Sequence, residues 1–131
     1  MTKAVLLVVC LAAGCAGTTS QVPPEGWRSK LREAMRAEVP DRAARDRQSR
    51  LLADAVEYGQ IEGLNRAQVR AAIGKGRACV DEHCSANDFR ESDWLYEIGV
   101  ATGDDVKQLP LLIIGFDHRD RAAHVWTLTT H

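Results

Sequence analysis

Two cysteines and a histidine fall within six residues, Cys79-Val80-Asp81-Glu82-His83-Cys84. Thiolate and imidazole are ligands for zinc, and a pair of thiols is equally the material of a redox centre or a disulfide. Zinc takes four ligands, whereas Cys79, His83 and Cys84 supply three at crowded spacing. Catalytic redox pairs more often read Cys-x-x-Cys at the start of a helix. A disulfide ring, free thiols and a metal or redox module are thus the three readings, and compartment decides between them.

Other candidate chemistry is weaker. His118, His124 and His131 do not converge with His83 along the chain, so no histidine is assigned a catalytic role. Asp81, Glu82, Asp88, Glu91 and Asp93 are calcium-type donors, but they lack the alternation and glycine of an EF-hand loop and read as a solvated loop. Gly74-Lys75-Gly76-Arg77 has neither the spacing of a phosphate loop nor a strand before it, and reads as a helix terminus. The sequence therefore predicts no catalytic residue, no metal, no cofactor and no small-molecule substrate. With 17 basic and 18 acidic residues and a net charge of −1, it does not point to nucleic acid either.

The compartment is written in the first residues, MTKAVLLVVCLAAGCAG. One lysine, an apolar run from Ala4 to Ala13 and then small residues have the layout of a secretory signal. The run is shorter than the ~20 residues a membrane-spanning helix needs. Leu11-Ala12-Ala13-Gly14-Cys15 resembles a bacterial lipobox, although Ala12 stands where leucine is commonest. That resemblance implies cleavage before Cys15 and acylation of its sulfur. Ala16, a residue other than aspartate, implies sorting to the outer membrane. Ordinary secretion, periplasmic or extracellular and without lipid, is the alternative. On the lipoprotein reading Cys10 leaves with the leader and Cys15 carries lipid, so Cys79 and Cys84 remain as a pair. In an oxidising compartment they are most simply a disulfide, worth roughly 2–3 kcal/mol for so short a ring.

Removing 14 of 131 residues leaves 117, enough for one small domain. Residues 15–26 are small, polar and proline-containing, and read as a tether of about 35 Å at full extension. Within 27–131, Trp27 to Val39 is predicted helical, with Trp27, Leu31, Ala34 and Met35 on one stripe and Pro40 as its stop. A second helix is predicted over Asp41 to Tyr58, turning Ala44, Leu51, Leu52, Ala55 and Val56 inward. Asn65 and Gln68 have the spacing of a capping box, Leu64 and Val69 that of a hydrophobic staple, so a short helix is predicted over Arg66 to Ile73, ended by Gly74. The period then changes to two in SDWLYEIG and AAHVWTLTT, while LPLLIIGFD is apolar almost throughout. DHRDR lies between the last two runs as a hairpin turn longer than two residues. Helices followed by strands predict an α+β domain: a three-stranded antiparallel meander with the helices on one sheet face.

The runs GLNRAQVRAAIG, WLYEIG, LPLLIIGFD and HVWTL resemble the SmpA/OmlA domain of BamE-like outer-membrane lipoproteins over about residues 60–130. Gly63, Val69, Ile73, Gly74, Trp94, Tyr96, Leu112, Ile114 and Phe116 are the matching positions. The loop after Gly74 departs from the family's pattern, which usually places proline there. The resemblance implies a domain tethered to the periplasmic side of the outer membrane through lipid, with an envelope protein as partner and an accessory role in β-barrel assembly. A secreted binder or inhibitor, built on a domain like that of the β-lactamase inhibitor proteins, is the alternative. Trp94, Tyr96 and Trp126 are either core, the preferred place for Trp94, or candidates for an interaction surface, because a sheet covered on one side leaves the other free. Charge is also uneven: Arg28 to Arg50 holds eight basic and four acidic residues, Leu51 to Asp105 five and eleven. A basic segment beside a lipid anchor suits anionic head groups at about 1 kcal/mol per cation, while a solvated helix face is the simpler reading.

Overall fold

A computed structural model describes residues 26–129. The leader at 1–14, Cys15, most of the tether and His131 lie outside the described residues. The elements in chain order are α1 (Gly26–Arg36), β1 (Glu38–Val39), α2 (Arg42–Tyr58), α3 (Arg66–Ile73) and β2 (Arg77–Ala78). There follow α4 (Glu82–Ala86), β3 (Trp94–Glu97), β4 (Val100–Ala101), β5 (Leu111–Phe116) and β6 (Ala122–Leu128). The chain is α+β, as its order of periods predicts. No described helix is long and apolar enough to cross a membrane.

The main sheet is antiparallel and has four strands, in the order β2-β3-β5-β6, where the sequence predicts three. The additional strand is two residues long, too short to carry an alternating pattern. A second small pair, β1 with β4, is parallel and joins Glu38 to Val100 and Val39 to Ala101. This pair ends α1 earlier than the sequence predicts. Val39 is completely buried against Ala44, Val106 and Leu109, and the residue before Pro40 is disfavoured in a helix, so the backbone turns extended after Arg36.

The three principal helices form for legible reasons. Trp27, Leu31 and Ala34 are the buried stripe of α1. Asp41 caps α2 by accepting the Ala44 N–H at 2.8 Å. Ala44, Leu52 and Ala55 face inward there and Val56 is half-buried, but Leu51 is 37% exposed. The inward turn this residue was expected to share is taken by Gln48, whose amide donates to the Ala34 carbonyl at 2.6 Å and ties α2 to the end of α1. For α3 the capping box is complete: Asn65 accepts from the Gln68 N–H at 2.8 Å and Gln68 accepts from the Asn65 N–H at 2.9 Å. Gly74 closes this helix at φ 85°, a conformation that favours glycine.

All six residues of β5 are buried, and the two sheet faces belong to different clusters. Trp94, Tyr96, Ile98, Leu112, Ile114 and Phe116 join the apolar residues of α1, α2 and α3. Leu95, Leu111 and Ile113 instead join Cys79, Cys84 and Phe89, with Trp126 and Leu128 against them. Helical cover is therefore not confined to one face, since α4 contributes Cys84 to the second cluster. Between β5 and β6 the connection is long, as predicted. Asp117 accepts the N–H groups of Arg119 at 2.8 Å and Arg121 at 3.0 Å, and Asp120 supplies the positive φ, 58°, that glycine would otherwise provide. Those two amides, Arg121 first, hold the Asp117 carboxyl below its ordinary value.

Asn65→Ala removes the side chain that accepts the Gln68 amide. It should lower unfolding stability by about 1 kcal/mol, read from the urea midpoint at unchanged slope. Asn65→Ser, which keeps a capping oxygen, should recover most of that loss.

Candidate functional site

Cys79 and Cys84 are both buried, with sulfurs at bonding distance, 1.92 Å, and Cα atoms 5.6 Å apart. Asp81 caps α4 by accepting the His83 N–H at 2.8 Å, so the ring's own residues shape a short helix that turns Cys84 toward the sheet. The ring is the lid of the second sheet face. Its backbone is held at one end by the Cys79 N–H, shared between the carbonyls of Asp93 and Glu91 at 3.1 and 3.2 Å. At the other end, the Phe89 N–H bonds the Cys84 carbonyl at 2.9 Å. Gly115 lets Phe89 reach the sheet, because a Cβ there would meet the Phe89 ring at 2.9 Å.

At the outer surface of the lid, the His83 ring stacks on Trp126 with centroids 5.9 Å apart and planes 30° apart. Val80 stands 73% exposed at the ring's tip. Donor atoms of Asp81, Glu82 and His83 lie within 4.8 Å of one another, but Asp81 is already engaged as a helix cap. The sequence-level metal set of Cys79, His83 and Cys84 loses its thiolates to the sulfur–sulfur contact.

The acidic residues that the sequence predicts as a solvated loop do not all stay in solvent. Asp93 leaves it and is buried at 3% exposure, accepting the Phe116 N–H at 3.0 Å and the Arg90 N–H at 2.8 Å. Arg90 in turn donates to the Phe116 carbonyl at 2.6 Å. Asp93 thus fixes the lid's end to the end of β5. Its place immediately before an aromatic strand was the available signal, and charge counting hid it.

Of the two places open to Trp94, Tyr96 and Trp126, core or exposed sheet face, Trp94 and Tyr96 take the core, and the three do not lie on one face. Trp94 and Tyr96 are 8% and 5% exposed and pack on the helix-containing cluster, whereas Trp126 is half-buried on the opposite face. Alternation within each run was read correctly, but parity between runs depends on strand register, which a single sequence does not display. Trp94 meets Phe116 edge-on at 5.0 Å. The Arg66 guanidinium lies 4.0 Å from the Phe116 ring centroid and 5.3 Å from that of Trp94, closing this side of the core. The Tyr96 hydroxyl donates to the Gly74 carbonyl at 2.7 Å, and burial pushes its phenol well above the ordinary value, offset in part by the Gly76 backbone.

A depression of about 360 Å³ opens elsewhere, between the end of α2, residues 59–62 and Val125. Sequence reading did not find it, because its walls are brought together only when β6 joins the sheet. Compared with known proteins, the chain matches no family model, no curated protein and no solved structure.

Two changes test the lid. Replacing both Cys79 and Cys84 by serine should cost about 2 kcal/mol by loss of loop-closure entropy, and the unsubstituted chain, denatured without reductant, should show no reactive thiol at either position. Asp93→Ala leaves the buried Phe116 amide and the part-buried Arg90 amide without their acceptor and should cost about 2 kcal/mol or more in urea unfolding.

Proposed function

We propose that this chain is a lipid-anchored interaction module of the cell envelope, non-enzymatic and accessory to outer-membrane protein assembly. The observation that carries the reading is the contact between Cys79 and Cys84. A buried sulfur–sulfur pair is a structural feature of oxidising compartments, where such bonds form and persist. It agrees with the export signal read in residues 1–14 and leaves Cys15 as the residue available for acylation. Two or three acyl chains on one cysteine give stable attachment, since each buried methylene contributes about 0.8 kcal/mol.

The resemblance to the SmpA/OmlA domain supports the accessory role. It implies a two-helix, three-strand domain, and the mixed α+β composition, the antiparallel strands and the apolar cluster shared by α1, α2, α3 and the sheet support that reading at the level of fold class, while the fourth strand and the α4 cover depart from it. The lid over the second face stands where the family's loop pattern departs from this chain.

The test is the mass of the amino-terminal peptide after expression of the full chain in a Gram-negative host. A diacylglyceryl-modified Cys15 and membrane fractionation are expected, and Cys15→Ser should release the protein to the soluble periplasmic fraction. A chain retaining Met1 in the cytosol overturns the envelope address. Unchanged levels of outer-membrane β-barrel proteins on deletion of the gene would remove the assembly role while leaving the anchor.

A further inference from the structure

We propose that the outer edge of β6 is a docking strand for an extended segment of another polypeptide, which pairs beside Val125 and Thr127 and sets an apolar side chain into the depression lined by Val56, Ile61 and Val125.

The ladder's alternation defines the edge. Ile98 donates its N–H to the Pro110 carbonyl at 2.9 Å, so these two face each other as a hydrogen-bonded pair across the β3–β5 seam. Such pairs alternate along an antiparallel ladder, so Leu112 and Ile114 also bond toward β3, and Leu111, Ile113 and Gly115 bond toward β6. Their opposites are Leu128, Trp126 and His124. Val125 and Thr127, between them, turn N–H and C=O away from the sheet. A register shift at Gly115/Phe116 places an additional residue, Ala123, in β6 and reverses the direction at Ala122. The Ala122 N–H accordingly reaches the Leu64 carbonyl, and its own carbonyl accepts the Gly63 N–H, both at 2.7 Å. The loop before α3 thus seals the first end of the edge. Beyond that point no described strand pairs with it.

Sheets usually defend such an edge with charge, proline or brevity. From Ala122 to Thr129 the chain has no Lys, Arg, Asp, Glu or Pro, and β6 is the longest strand of the sheet. At the opposite edge, β2 has two residues and carries Arg77. The open stretch of β6 runs past the depression of about 360 Å³, which is lined by Val56, Ile61 and Val125 together with Gln60 and Glu62. A strand paired at Val125 would project every second side chain over that space, the combination of backbone pairing for affinity and a side-chain pocket for selectivity that recurs in strand addition.

Charge selects the occupant. Glu62 is the charged residue in the lining and no cation accompanies it. The fitting segment is therefore extended, apolar at the position over the depression and cationic beside it. A second copy of this chain fits less well, because its β6 brings no lysine or arginine to Glu62.

The inference rests on the interaction reading for its biological setting. Its test uses purified protein in solution and is indifferent to lipid, so either can fail alone. The probe is a synthetic heptapeptide of alternating threonine and valine with a central phenylalanine and one flanking lysine. Added in excess to the full chain carrying Cys15→Ser, it should slow amide exchange at Val125 and Thr127 at least tenfold, with little change at Trp126, which already bonds to β5. Thr127→Pro removes an outward donor and no ladder bond, and should weaken peptide binding at least tenfold. Exchanging the peptide's lysine for glutamate should weaken it severalfold. Unaltered exchange at Val125 and Thr127 under millimolar peptide overturns the proposal, and that measurement on unsubstituted β6 stands even where Thr127→Pro fails to fold. Protection that appears on raising protein concentration without peptide would make the occupant a second copy and overturn the stated partner.

Discussion

Six consecutive buried residues, Leu111 to Phe116, impose the main constraint on this protein. A strand buried along its whole length needs both faces of its sheet covered, because side chains alternate between them. Three helices are available for one face. The other is covered with far less chain, by the segment from Cys79 to Asp93. A cover so small contributes limited apolar area and gains from being closed by a covalent bond between its own residues. The disulfide geometry, the buried Asp93 and the close approach of Phe89 to Gly115 all serve that one requirement.

Polar contacts finish what apolar packing begins. Arg66 opens α3, donates to Asp120 in the hairpin turn and to the Ser92 carbonyl, both at 2.8 Å, and stacks on two aromatic rings. One side chain therefore joins three segments distant in sequence. Its bond to the largely exposed Asp120 carries little energy by itself, while the stacking places its planar group against apolar surface where water is displaced. Arg90 and Asp93 make the matching clasp at the other side of the same strand end.

Much of this was legible in the residues. The capping box at Asn65, the extent of α3, the dense apolar run of β5 and the glycine-free turn at 117–121 follow from local rules, and those places match closely. Failures occurred where the deciding partner is remote. Val39 leaves the helix to pair with Ala101, Leu51 yields its inward place to Gln48, and Asp93 exchanges solvent for the Phe116 amide at the end of β5. The aromatics stayed open between core and surface for a related reason, since the faces of Trp94 and Trp126 depend on how two strands align. The exposed edge of β6 carries no motif. It is marked by missing charge and becomes visible once strand order is known.

The order of elements also has a consequence for how the chain matures. α1, α2 and α3 precede β5 in sequence, so their apolar stripes exist before the strand that will cover them has been made. At translation rates of about 5–20 residues per second, those stripes stay uncovered for seconds during chain growth. A nascent polypeptide of this layout would depend on a holding factor, or on rapid handover to an export channel, more than one whose strands come first.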